Sequence, residues 1–199
     1  MKSNRHHPVI RVLHWAVAFM VVAALAMSTF VMAKIPDQDP EKLAASLRHM
    51  SVGLLICLAT LARLVYRRKT KRLPALSSGM AWADVLAAIV HRSLDVLVLT
   101  MVVSGIAMAL MSGLPLIALH GGAFPVAINH MSAHTIHVVV ANVLAGILVL
   151  HIGGALFHQF ILRDGLLSRM MFDPRTLLQR IPGLDGVLKL SSQSASRKA

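Results

Sequence analysis

Residues 134–169 read HTIHVVVANVLAGILVLHIGGALFHQFILRDGLLSR, the last long apolar stretch of the chain. Between His137 and Leu162 there is no Lys, Arg, Asp or Glu. A helix that crosses the hydrocarbon core of a bilayer needs about 20 mostly apolar residues. The stretch therefore predicts a membrane-spanning helix.

This helix carries an unusual number of imidazoles, at His134, His137, His151 and His158. At 100° per residue, the step from His137 to His151 leaves their side chains about 40° apart, on one face of a helix and roughly 21 Å apart along it. Polar side chains at membrane depth usually face the interior of the bundle and mark function. Because imidazole is a common ligand of haem iron, the spacing predicts two haems stacked across the membrane.

The composition is that of an integral membrane protein. The chain has 199 residues, of which 56% are hydrophobic and 14% are charged, and its mean hydropathy is +0.70. The net charge of +12 does not indicate nucleic-acid binding, because the basic residues flank apolar runs, where they set topology and contact anionic lipid. Cys57 is the only cysteine, which excludes an intramolecular disulfide.

The fold class predicted is all-α, a four-transmembrane-helix bundle in a single domain. The expected spans are residues 12–33, 47–66, 82–111 and 134–162. The first apolar run is longer than the 7–15 residues typical of a signal peptide, so we interpret it as a retained helix. Residues 1–172 form the bundle domain, and 173–199 a basic tail that is partly disordered. Within that tail, 174–190 predicts a short helix on the membrane surface.

The distribution of Lys and Arg predicts the orientation. Three lie before the first span, five in the 67–74 loop and seven from Arg163 onward, whereas the opposite side has only Lys34, Lys42 and Arg48. By the positive-inside rule, both termini and the 67–74 loop are cytoplasmic.

The orientation sorts the histidines by depth. His14 and His151 fall near the inner face, and His49 and His137 near the outer face, which gives two candidate bis-histidine sites for b-type haem iron. Alternatives remain at each depth, namely His158 and His91 on the inner side and His130 and His134 on the outer side. The c-type attachment motif CxxCH is absent, so the haems would be held non-covalently.

Two arginines are candidate partners of haem propionates. Arg63 lies 14 residues after His49, on the same face but at the inner depth. Arg63 could equally snorkel to the cytoplasmic interface. Arg92 invites the same two interpretations, and its spacing from Asp95 would also allow a local ion pair.

Several motifs resemble the bacterial cytochrome b561 family. These are Leu13-His14-Trp15, His49-x-x-x-Gly53 with Arg63, and His137…His151…His158 followed by Asp164…Arg169-Met170, within residues 8–172. The resemblance implies a multi-pass protein of the bacterial inner membrane with two haems b, ligated by His14, His49, His137 and His151, that exchanges electrons with ubiquinone. At least one member of the family oxidises superoxide at the outer face. If this carries over, the chain is a superoxide:ubiquinone oxidoreductase, and His158 is the candidate quinone-site residue. The loop at 112–133 departs from that role, since it has no charged residue to attract an anion.

Other functions fit parts of the pattern. The protein could be a cytochrome b relay subunit for a separate dehydrogenase or periplasmic redox protein. A transporter whose histidines carry protons or a divalent metal is a function of another class, but it would need further carboxylates within the membrane. A membrane anchor without a cofactor leaves the paired histidines unexplained.

Overall fold

The computed structural model describes residues 6–70 and 80–171. In these ranges it contains four helices that are long and apolar enough to cross a membrane, Pro8–Lys34, Pro40–Lys69, Ala81–Met111 and Ser132–Leu162. The predicted all-α, four-span architecture is thus confirmed. The predicted tail at 173–199, its surface helix at 174–190 and the end of the basic 67–74 loop lie outside the described residues.

The described helices are α1 (Pro8–Ala26), α2 (Pro40–Lys69), α3 (Ala81–Met111), α4 (Leu114–His120) and α5 (Ser132–Phe157). A wide helical turn extends α1 to Val31, and another extends α5 to Leu162. Helix α2 begins seven residues earlier than predicted, because the Asp39 carboxylate accepts the Glu41 N–H at 2.9 Å and Pro40 fits the first helical turn.

The short helix α4 lies in the segment that the sequence predicted as a loop. It begins after Gly113, whose φ of 71° suits glycine, and Leu114 is its only buried residue. Seven residues are too few to show a helical period, which is why the apolar pattern did not reveal it.

The bundle is built from two helix pairs, α1 with α2 and α3 with α5. Few residues of the spans are buried inside the protein, and most large apolar side chains point outward, Phe19 being 76% and Val149 69% exposed. So large an apolar surface is stable only against lipid. This agrees with a multi-pass location in the membrane.

The two ends of the bundle are tied differently. At the end that carries residues 6 and 171, here called the terminal end, the chain after α5 folds back onto α1. Trp15 Nε1 donates to the Met170 carbonyl at 3.0 Å, and Arg11 donates to the Met171 carbonyl at 2.8 Å. At the opposite, loop end, Lys42 donates to the carbonyls of Met32 and Ile35. The 163–171 segment therefore fixes the position of α1 beside α5.

Candidate functional site

Two pairs of imidazoles face each other across the junction between the helix pairs. His14 of α1 faces His151 of α5, with ring centroids 6.3 Å apart and ring planes at 72°. His49 of α2 faces His137 of α5, with centroids 6.2 Å apart and planes at 77°. We call these the terminal pair and the loop pair. The depth argument from the sequence predicted both juxtapositions.

An apolar layer separates the two pairs. Its members lie seven residues, or roughly 10 Å of helix, from a histidine on the same helix face. The members are Val21 after His14, Ile56 after His49, Val98 after His91 and Leu144 midway between His137 and His151. All four are buried in one cluster, and Leu144 is only 2% exposed. The site thus has a polar, an apolar and a second polar layer along the membrane normal.

The loop pair is held by α3. His137 Nδ1 lies 2.9 Å from Ser104 Oγ, and Ser104 is buried. A Cβ atom added to Gly105 would lie 3.4 Å from His137 Cε1, so the ring rests on the bare backbone of α3. His49 Nδ1 is buried and has no hydrogen-bond partner in the part of the chain described.

At the depth of the terminal pair, α2 and α3 are joined by an ion pair. Arg63 donates to Asp95 at 2.5 Å, and their side chains are only 15% and 21% exposed. Arg67 binds the other carboxylate oxygen at 3.0 Å. Asp95 therefore pairs with α2 and not, as its spacing suggested, with Arg92, which is exposed. Arg63 does not snorkel: it faces the bundle, and its buried Nε has no partner among the described residues.

His158 belongs to a separate polar group at the terminal end. Its Nδ1 donates to the Asp164 carboxylate at 2.5 Å, and the other oxygen of Asp164 accepts the Leu166 N–H at 3.0 Å. Burial raises the pKa of Asp164, but these hydrogen bonds outweigh it and leave the pKa below its usual value. The contact is therefore fully formed above the ordinary carboxyl pKa and is lost as pH falls through the lowered one. An adjacent depression of about 380 Å³ is lined by Gln159, Phe160, Arg163 and Gly165.

The other histidines are placed less suitably for a pair. His91 is exposed, and its ring lies 5.0 Å from that of His151. Its Nδ1 donates to the backbone carbonyl oxygen of Ala87 on its own helix. His130 is exposed and His134 half-buried at the loop end. Across residues 6–70 and 80–171, no three His, Cys, Asp or Glu side chains are grouped so as to hold a metal ion.

These features define a class of protein: a four-helix membrane bundle with opposed imidazoles at two depths around a shared helix. Residues 5–173 match the family of prokaryotic cytochrome b561, and the chain belongs to this family. Among curated proteins no match is found. Membership implies transmembrane electron transfer with b-type haem in a multi-pass protein of the bacterial inner membrane.

The geometry of both pairs fits this cofactor. Two imidazoles that bind one metal ion from opposite sides, each through a metal–nitrogen bond of about 2 Å, place their centroids roughly 6 Å apart. The terminal and loop pairs, at 6.3 and 6.2 Å, meet this condition. The 5.0 Å between His91 and His151 is too short for an iron between them. Residues His14, His49, His137 and His151 could thus hold haem iron.

Two contacts escaped the sequence analysis. Val98 and Gly105, seven residues apart, lie on the inward face of α3, but nothing in the sequence marked Ser104 as a partner of His137. Similarly, Asp95 was paired with its nearest basic neighbour in sequence, although the neighbour in space is Arg63. In both cases the contact joins two helices, so no spacing within one helix could reveal it.

Proposed function

We propose that the chain binds two haems b, one between His14 and His151 and one between His49 and His137, and conducts electrons between its two ends. The observation that supports this is the presence of two imidazole pairs of metal-bridging separation, both anchored on α5. When bound, such low-spin iron accepts and gives single electrons. The paired histidines would hold and orient the haem, and the apolar layer between the two pairs would exclude water.

The proposal is tested by a reduced-minus-oxidised spectrum of protein purified after haem-sufficient expression, with haem counted per chain. We expect a low-spin b-type spectrum and two haems. A colourless protein would refute the proposal. Metal-stimulated transport by such a colourless protein in liposomes would instead favour a transporter.

We further propose that the terminal end faces the cytoplasm and exchanges electrons with ubiquinone beside His158. With Nδ1 donating to Asp164, Nε2 is the nitrogen left for the quinone: with a proton it can donate to a quinone carbonyl oxygen, and without one it can accept from a quinol hydroxyl. Quinone reduction consumes protons, and His158 with Asp164 can pass them from the cytoplasmic side. Chain neighbours of His158 and Asp164, namely Gln159, Arg163 and Gly165, line an open depression that could receive the head group.

His158→Ala is expected to lower the rate of quinone-linked electron transfer by about a hundredfold, the usual effect of removing a positioned proton carrier. Asp164→Asn should lower it less, because the amide still binds the ring. The measurement is haem oxidation by a soluble ubiquinone analogue in stopped flow, with His120→Ala at the loop end as control. An unchanged rate in His158→Ala, with two haems still bound, would contradict this quinone site.

The charged side chains at the loop end bear on which molecule donates electrons there. Superoxide is an anion and needs free positive charge, but Lys42 is bound to Asp37 at 3.3 Å and Arg48 to Glu41. Lys34 alone of the three cations there has an exposed side chain without an ion pair in the described structure. Because Asp39 also lies there, three acids balance the three cations, and this surface without net charge favours a relay role with a separate redox protein over superoxide oxidation. Quinone reduction by the pure protein supplied with superoxide would establish the oxidase activity instead.

Gly105 provides a test of the loop pair. Gly105→Leu is expected to displace the His137 ring and to reduce the haem content from two per chain to one, because a Cβ there already contacts the ring at 3.4 Å. Gly105→Ala should be tolerated. The control is Gly146→Leu on α5, where a Cβ has nothing within 4 Å. Equal haem content in both leucine variants would argue against a haem held at the loop pair.

A further inference from the structure

The bond between His137 and Ser104 has a defined direction. A hydroxyl group has one hydrogen, and that of Ser104 is donated to the Met101 carbonyl at 3.0 Å. His137 also forms a hydrogen bond with the backbone of Met101, whose carbonyl can only accept, so we assign the proton to His137 Nδ1 and the acceptor role in its 2.9 Å contact to Ser104 Oγ. The imidazole Nδ1 carries the proton, and a short chain of hydrogen bonds runs from His137 through Ser104 to the backbone of α3.

This direction determines the tautomer of His137. With the proton on Nδ1, the lone pair is on Nε2, the nitrogen left free for a metal ion. A ligating histidine normally donates its other N–H to such an acceptor, which fixes the ring and makes the ligating nitrogen a stronger donor. The missing side chain of Gly105 lets the ring lie close to α3, since a Cβ there would lie 3.4 Å from His137 Cε1. The hydrogen bond to Ser104 thus orients the His137 ring beside α3.

The other three paired histidines lack an equivalent partner. His49 Nδ1 is buried without a hydrogen bond, and in residues 6–70 and 80–171 no hydrogen bond reaches the rings of His14 or His151. The loop pair thus combines one supported and one unsupported imidazole, whereas the terminal pair has two unsupported ones. The two pairs therefore differ in hydrogen bonding, although the ring separations differ by only 0.1 Å (6.3 against 6.2 Å).

We propose that Ser104 is a positioning residue that acts through His137 to lower the reduction potential of the haem at the loop pair. The inference depends on the haem ligation given above. A stronger Nε2 donor stabilises ferric iron over ferrous iron, and hydrogen bonding to an axial ligand is one of the ways in which proteins tune haem. Ser104 therefore helps to give the two haems different potentials, which sets the gradient along which an electron moves between the ends.

The test is a spectroelectrochemical redox titration of the purified full-length protein, with low-temperature EPR of the ferric haems. Ser104→Ala should keep two haems per chain and move the potential of one of them to a more positive value, with a changed EPR signature for that haem. Ser104→Thr retains a hydroxyl and should restore both. The matched control is Thr100→Ala, one turn away, where the hydroxyl binds only the Val96 carbonyl of its own helix.

The shifted haem is assigned in a His151→Ala background, which leaves only the loop pair intact. The same positive shift there supports the inference, as does loss of the loop haem in Ser104→Ala that Ser104→Thr reverses. Two haems with unchanged potentials and EPR spectra in Ser104→Ala would overturn the role of Ser104 while leaving the proposed function intact. A shift of equal size in Thr100→Ala would also overturn it. Absence of haem from the wild-type protein would overturn both.

Discussion

Alanine at any one of the four paired histidines is expected to halve the haem content, from two per chain to one. In the proposed ligation each pair would hold one iron between its two imidazoles, so the loss of one imidazole would leave that cofactor weakly held. His14→Ala or His151→Ala should remove the haem at the terminal pair. His49→Ala or His137→Ala should remove the haem at the loop pair. The measurement is a pyridine haemochrome assay normalised to protein.

Histidines outside the pairs provide the matched controls. His120, on α4, is exposed and bound to its own helix, so His120→Ala should retain both haems. The variants His91→Ala and His158→Ala test the assignment of His151 more strictly, because depth in the sequence made both residues candidates for the inner site. Retention of two haems in these variants would support His151 as the inner ligand. Loss of one haem in His91→Ala or His158→Ala, with two retained in His151→Ala, would transfer the ligand role.

Asp95→Ala is expected to destabilise the bundle by about 3–5 kcal/mol, because it leaves the Arg63 guanidinium, whose side chain is only 15% exposed, without its counter-charge. For a chain of this size, this corresponds to a fall of roughly 10 °C in the thermal midpoint. The midpoint is measured in detergent by loss of the Soret band and of the monodisperse elution peak. The variant Asp95→Asn, whose amide oxygen still accepts a hydrogen bond from Arg63, should lose less stability than Asp95→Ala.

Two comparisons isolate the cost of the unpaired charge. The double variant Arg63→Leu/Asp95→Leu buries no charge and should be more stable than Asp95→Ala alone. At the loop end, Glu41→Ala breaks the exposed ion pair between Glu41 and Arg48, whose side chains are 55% and 57% exposed respectively. This variant should lose less than about 1 kcal/mol of stability. Equal loss in Asp95→Ala and Glu41→Ala would show that the interhelical pair contributes nothing special. The haem content of the double variant also tests Arg63 as a propionate partner.

Much of the site could be predicted because depth in a membrane can be calculated from residue number. Fourteen residues between His137 and His151 fix a height difference and a shared helix face. Counting from the ends of each apolar run then matched His14 with His151 and His49 with His137, and the structure places these rings opposite each other. The thickness of the hydrocarbon core sets the length of every span, so depths on different helices can be compared.

Distances between helices could not be predicted in this way. His91 shares the depth of His151, yet its ring lies 5.0 Å away, too close to enclose an iron. His158 matches His14 by depth at least as well as His151 does, but it binds Asp164, because the chain turns back sharply at Arg163, whose φ is 51°. The partner of Arg63 depended on how α2 packs beside α3.

The sequence alone determined the number of spans and the heights of the histidines, since apolar length and the rise per residue govern both, and its motifs indicated the family. The tertiary structure alone decided which rings face each other at a metal-bridging distance, that Asp95 binds Arg63, and that Ser104 holds His137. The physical reason is that helical periodicity gives the direction of a side chain only relative to its own axis. The rotation and separation of neighbouring helices come from side-chain packing between them.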